Sequence, residues 1–351
     1  MPPSVMMGAM RRSRVSLLLL LPVGGSLVGC GLLGGSDGFD DALEVVPASV
    51  SEVRFFDREA ALERLDVDDL EADPSDEELE EYVEKSREFP AYTALDQYLV
   101  PMLESAPFSA QDIVWEVAGY DADGGFGQVW RMDDDLELDD VVDDLVDAGY
   151  EEDGAGDGTT LTVELSDIGE DQQYFAAMPT LTVLPDEHLI VTGPLTDDFL
   201  EVISDDADST VDKDTFDDLV DGTDDIEFAA LARDDLACRS TRMTPEQLDG
   251  LAPLGRPEQT GFVVHGEDGD ARSVLLFDDE EAADDDAGAR EDYLTEGSNP
   301  ISAEPFDAYA DWEVEADGER VHVDLAFDDA RILPAVISRR DYTAFSACGP
   351  E

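Results

Sequence analysis

The sequence is poor in cations. Its 351 residues include only 20 Lys and Arg against 89 Asp and Glu, and lysine occurs just twice, as Lys85 and Lys213. Histidine and cysteine are equally scarce: His188, His265 and His322, and Cys30, Cys238 and Cys348. Each shortage excludes something. Without a basic patch there is nothing to meet the phosphates of DNA or RNA, so nucleic acid is not expected as a partner. None of the histidines lies in an HExxH motif or beside a cysteine, so no zinc signature exists. The chain also lacks a GxSxG elbow, a Walker loop and a GxGxxG turn. Two carboxylates for glycoside chemistry cannot be singled out among so many acids. We therefore assign no catalytic residue, no metal ligand and no cofactor, and read the chain as non-enzymatic. Two Asp-rich runs, Asp121-Ala122-Asp123-Gly124 and Asp153 to Gly158, are faintly like calcium loops but lack the spaced oxygens and distal Glu of an EF-hand. Trp115, Trp130 and Trp312 fall on expected strands. Packing is their commoner use and a carbohydrate platform the alternative.

What the chain does have is acid from end to end, for a net charge of −69, over an ordinary apolar content of 42%. A disordered acidic tail would be far poorer in Val, Leu, Ile and Phe. Such a fold repels itself in dilute salt, whereas at molar ionic strength the screening length falls to about 3 Å. The expectation is a protein adapted to concentrated salt. A cation store or nucleic-acid mimic would instead gather its acid on one face.

One stretch has no acid at all, residues 1–29. Arg11, Arg12 and Arg14 head it, Leu17 to Leu21 form an apolar run, and Leu27-Val28-Gly29-Cys30 closes it. The run is too short to span a bilayer and has the order of a secretory signal. Its end resembles the lipobox of bacterial lipoproteins, which implies cleavage before Cys30 and acylation of that cysteine. The expected location is the extracytoplasmic face of the cell membrane, held by lipid on Cys30. Loss of the three arginines takes the net charge from −69 to −72. The export route stays open between the general and twin-arginine pathways, and Met6, Met7 and Met10 are alternative starts to Met1. Residues 30–44 read as an acylated N-terminus and flexible tether. The two remaining cysteines, Cys238 and Cys348, are expected to pair, the default for thiols outside the cytosol.

Alternation and helical spacing organise the rest. Strand pairs are expected over 112–120 with 126–132, 181–184 with 189–192, 261–265 with 273–277, and 312–316 with 320–327. Ser75 and Glu78 form a capping box. Leu138, Val141, Val142, Leu145 and Val146 give one apolar helix face opposite five aspartates. Val274 to Asp279 echoes Val129 to Asp134. The fold class is α+β: antiparallel hairpins with helices packed on one face, in two similar hairpin–helix–hairpin–helix halves over 45–205 and 225–351, joined by an acidic linker at 206–224. Several stretches, among them Val46-Pro47-Ala48, Trp115-Glu116-Val117, Leu236-Ala237-Cys238, Thr260-Gly261-Phe262 and Phe345-Ser346-Ala347-Cys348, resemble an uncharacterised family of actinobacterial-type secreted lipoproteins. The resemblance implies the lipid anchor and the late cysteine pair, and no activity.

The leading functional expectation is a membrane-tethered, non-catalytic domain that binds a protein or envelope component. The alternatives are a ligand-binding lipoprotein of a transporter and, behind it, a secreted hydrolase. The charge generates one test directly. Like charges at i, i+4 cost a few tenths of a kcal/mol per pair when unscreened, and many such pairs offset a total stability of about 5–15 kcal/mol. Circular dichroism should show cooperative loss of structure as salt falls from about 2 M to about 0.05 M. An unchanged melting temperature across that range would exclude solvent adaptation.

Overall fold

The computed structural model describes residues 37–65, 75–85, 95, 98, 101–103, 106–155, 158–164, 170–238, 251, 253–266, 270–299, 304–327 and 332–349. Twelve strands run through them: β1 Glu52–Asp57, β2 Ile113–Tyr120, β3 Phe126–Met132, β4 Glu151–Ala155, β5 Gly158–Thr162, β6 Thr180–Leu184, β7 Leu189–Thr192, β8 Ile226–Arg233, β9 Gln259–His265, β10 Asp270–Leu276, β11 Ala310–Asp317 and β12 Arg320–Phe327. All join one antiparallel sheet in the order β11-β12-β10-β9-β8-β1-β2-β3-β7-β6-β5-β4. The α+β class and the four expected hairpins are present. The expected junction at 206–224 does not divide the sheet, because β8 pairs with β1 at its centre.

Both faces of the sheet are covered, where helices on a single face were expected. Successive strand residues point to opposite sides, so Phe55 and Phe56 enter different cores. On one side lie α1 Asp37–Glu44, α5 Thr196–Ile203 and α6 Asp217–Val220, with Phe39, Phe199 and Leu219 against Phe55, Val117, Val129 and Val263. On the other lie α2 Arg58–Leu65, α3 Asp76–Lys85, α4 Leu138–Asp147, α7 Glu280–Glu296 and α8 Ile332–Arg339. Leu62, Tyr82, Leu145, Ala283 and Val336 there meet Phe56, Trp130, Phe262 and Val323. In α4, Leu138, Val141 and Leu145 are buried as the spacing requires, but Val146 lies at the margin and is exposed. The Ser75–Glu78 box forms reciprocally, with bonds of 2.7 and 3.3 Å. Among the described residues no helix is long and apolar enough to cross a membrane.

Two segments are more ordered than expected. The second half of the supposed tether is α1, whose Phe39, Ala42 and Leu43 are buried. The supposed linker packs too: Ser209, Thr210, Thr215, Phe216 and Leu219 are buried. Thr210 donates its hydroxyl to the Leu43 carbonyl and its N–H to that of Val46. The segment reads as a linker because most of its buried positions carry hydroxyls instead of hydrocarbon.

Buried ion pairs fix helices to the sheet. Arg58 of α2 donates to the Ala110 carbonyl at 2.9 Å and faces Glu116 of β2 at 3.5 Å, while Gln128 donates to the same carboxylate at 3.0 Å. Arg64, also of α2, grips Glu227 of β8 with two bonds of 2.7 and 2.8 Å. Arg290 of α7 pairs with Asp286 and donates to the carbonyls of Phe345 and Ala347, holding the C-terminal segment. Tyr342 of that segment stacks on Phe262, with ring centroids 5.2 Å apart.

Cys238 and Cys348 are bonded, closing a span of 110 residues with Cα atoms 5.4 Å apart. In the chain-entropy account a loop of that order contributes about 4.7 kcal/mol. The double substitution Cys238→Ser, Cys348→Ser should lower the urea midpoint by an amount equivalent to at most about 5 kcal/mol. It should leave Tyr342 and Phe345 protected from hydrogen exchange, because Arg290 and the aromatic contacts hold them separately. A midpoint equal to wild type would show that the bond adds nothing to stability.

Candidate functional site

One region of the sheet carries no described helix. Leu219 of α6 lies over Gly261 of β9. α6 also reaches over Val274 of β10, and beyond it the same face runs from Arg272 of β10 across β12 to β11, the outermost strand. The two-residue period sets what it displays. β9 ends in His265, β10 shows Arg272, and β12 shows Arg320, His322 and Asp324. β11 shows Asp311, Glu313, Glu315 and Asp317, all exposed. The opposite residues of β11 and β12, such as Trp312, Val314, Val321 and Val323, turn to the core beneath α7.

The cations of this surface are already paired. Arg272 sits opposite Asp324 in the ladder and donates to its Oδ1 at 2.6 Å. Arg320 reaches back to α6, with Asp218 at 3.0 Å and Asp221 at 2.9 Å. His265 and His322 both titrate below the ordinary histidine value. Burial is the main cause, since it penalises the charged ring, and the Arg272 guanidinium adds to it; Asp324 works the other way on both. Both rings are therefore neutral at pH 7, each offering one donor and one acceptor. The Nδ1 of His322 is buried and has no hydrogen-bond partner. The resulting surface is polar and net acidic, with its guanidiniums neutralised. Chemically it suits recognition of a cationic or hydrogen-bonding partner, and it repels anions.

The residues singled out in the sequence are not gathered here. His188 lies in the β6–β7 turn with φ at +55°, away from the other two histidines. Trp115 and Trp130 are buried on opposite faces and Trp312 packs beneath α7, so the three share no platform. Asp121 accepts the N–H of Gly125 at 2.7 Å within the β2–β3 turn, and Asp153 belongs to β4. Among the described residues no three His, Cys, Asp or Glu side chains are grouped to hold a metal ion. Cys30 lies outside the described residues. Arg272, Arg320 and Asp324 were missed; the alternation Arg320-His322-Asp324 along a strand was the available signal, and it reads as plain solvent exposure.

The shared dependence of both histidines on Arg272 is testable. In Arg272→Gln the cation disappears and Asp324 loses its partner, so both rings should titrate higher, as followed by imidazole proton shifts. In wild type the neutral rings contribute stability that is complete above about pH 6.5 and lost as pH falls through their lowered folded values. That loss should shrink in the variant. Unmoved titrations would refute the coupling.

No protein-family model and no curated protein matches the chain. Solved structures of TP0453 do match: crystal forms I and III at 10% and 11% identity, each with a TM-score of 0.44. The alignments cover 85% of this chain and 97% and 98% of those chains.

Proposed function

We propose that the chain is an exported lipoprotein, held at the extracytoplasmic face of a membrane by acylated Cys30, whose folded part binds a protein or envelope component in concentrated salt. The observation that carries this reading is the acid-free, arginine-headed segment ending in Leu27-Val28-Gly29-Cys30, set before a chain otherwise full of acid. The Cys238–Cys348 bond supports it, since disulfides persist outside the reducing cytosol. The paired guanidiniums and neutral histidines of the open face support binding over chemistry. A transporter's ligand-binding lipoprotein is the weaker reading, because one continuous sheet replaces the two lobes and cleft that it would use.

The same reading includes two similar halves. Strand order outward from the centre is β8-β9-β10-β12-β11 on one side and β1-β2-β3-β7-β6 on the other, with β5 and β4 as an added hairpin. Taking Val129 and Val274 as equivalent, the ladders bring Trp130 to Leu275 and Ile190 to Val321, all on one face. Followed inward, they bring Arg54 to Ala230, and these two are themselves cross-strand partners. A twofold axis through that pair relates the halves. The symmetry is broken after the last strand of each half: α5 covers the side of Phe55, whereas α8 crosses to the side of Phe56. That difference is what leaves the Phe55 side of β12 and β11 without a helix among the described residues.

The anchor is tested by Cys30→Ser in the native host. The variant should accumulate uncleaved or be released, and should leave the detergent phase. Processing and partitioning identical to wild type would remove the lipoprotein reading.

A further inference from the structure

We propose that the outer edge of β11 is the docking surface for an extended cationic segment of another protein, which joins the sheet as one more strand. This rests on the reading of the fold as a binding domain and names its surface and the chemistry of its partner. β11 is eight residues long and ends the sheet. It returns to β12 through Gly318-Glu319, with Asp317 opposite Arg320. Gly318 has φ at +62° while Glu319 is not in the left-handed region, the signature of a type II′ turn. In such a two-residue hairpin the closing pair is hydrogen-bonded, and bonded and non-bonded pairs alternate from there. Asp317, Glu315, Glu313 and Asp311 therefore spend their backbone groups on β12. Ala316, Val314, Trp312 and Ala310 turn theirs outward, and among the described residues no strand meets them.

Side chains specify what could be added. Toward α7, Trp312 and Val314 are only partly buried and would be covered by apolar residues of a neighbouring strand. Toward the open face the edge is uniformly acidic. Glu313 stands directly opposite Asp324, whose partner Arg272 lies on its far side, so among the described residues the row reads Arg272, Asp324, Glu313 and ends there. Like charges directly opposite are unfavourable, and a Lys or Arg next to Glu313 would complete the row. Glu315 faces neutral His322 and Asp311 faces Ala326, so they also lack a cation across the ladder. A second copy does not fit, because its own β11 would bring acid against acid. The partner is therefore a different chain, extended, with basic residues alternating with apolar ones. Backbone pairing supplies affinity and the alternating side chains supply selectivity.

The test uses the mature chain in molar salt, where long-range attraction is screened. The probe is a synthetic peptide of about twelve alternating Lys and Val residues, long enough to span the edge. It should bind, as followed by backbone amide shifts confined to β11 and β12. Val314→Pro removes an outward N–H at a position where an edge strand tolerates proline, and should weaken binding by about tenfold or more, a change of about 1.4 kcal/mol. Glu313→Lys, at an exposed site that leaves the backbone intact, should weaken it as well. A block peptide of the same composition should bind less well than the alternating one. Equal binding of the two peptides, or binding unchanged in both variants, would show adsorption to an acidic surface and overturn the assignment. If the assignment falls while Cys30→Ser still releases the protein, the anchored reading stands without it.

Discussion

The pairing of β1 with β8 is the constraint on which the rest of the structure depends. Five cross-strand positions, from Glu52–Ala232 to Phe56–Phe228, turn what would be two small sheets into one. Both strands are then interior, buried on both faces, and each face needs its own cover. A slip of one residue would exchange Phe55 and Phe56 between the cores. Two ion pairs guard against it: α2 crosses the junction with Arg58 on the β2 side and Arg64 gripping Glu227 of β8. Below the sheet, α1 seats Phe39 edge-on against Phe55, with centroids 5.2 Å apart.

The distribution of the few cations follows from the same need. With 20 Lys and Arg against 89 acids, surface pairing cannot neutralise the exterior. Exposed ion pairs contribute little in any case. Arg58 and Arg290 are instead fully buried, Arg58 held by Glu116 and the Ala110 carbonyl and Arg290 by Asp286 and the carbonyls of Phe345 and Ala347. Removing one partner of such a pair costs far more than losing a surface pair. Scarce guanidiniums thus join helices to strands and the C-terminal segment to α7, while the surface acid is left to the solvent's ions.

Strands closed into hairpins by turn residues were legible in the sequence even where both faces are covered, as in β6 and β7, whereas β8 and β4 were not. The hairpins at 112–132, 181–192, 261–277 and 312–327 announce themselves by alternation and turn residues, and α4 by its aspartate-backed stripe. β8, Ile226 to Arg233, shows no alternation because it is buried on both sides. The strand that unites the fold was therefore the hardest to see. β4, Glu151-Glu152-Asp153-Gly154-Ala155, escapes for the opposite reason: it is an exposed, charged edge with nothing apolar to betray it. The open face was hidden for a third reason. Its members come from strands far apart in sequence, and they gain meaning only through the strand order that places β12 between β10 and β11.

The centre of the sheet also dictates an order of events. The two strands that meet there are about 180 residues apart, and a chain leaving the ribosome delivers them far apart in time. At elongation rates of about 5–20 residues per second, β1 waits roughly ten seconds or more for β8. β2 shields one of its edges early; the other, beside Val53, Phe55 and Phe56, stays unpaired. Such an edge is the kind that recruits wrong partners. A nascent chain of this design needs that edge held apart from wrong partners until β8 has followed.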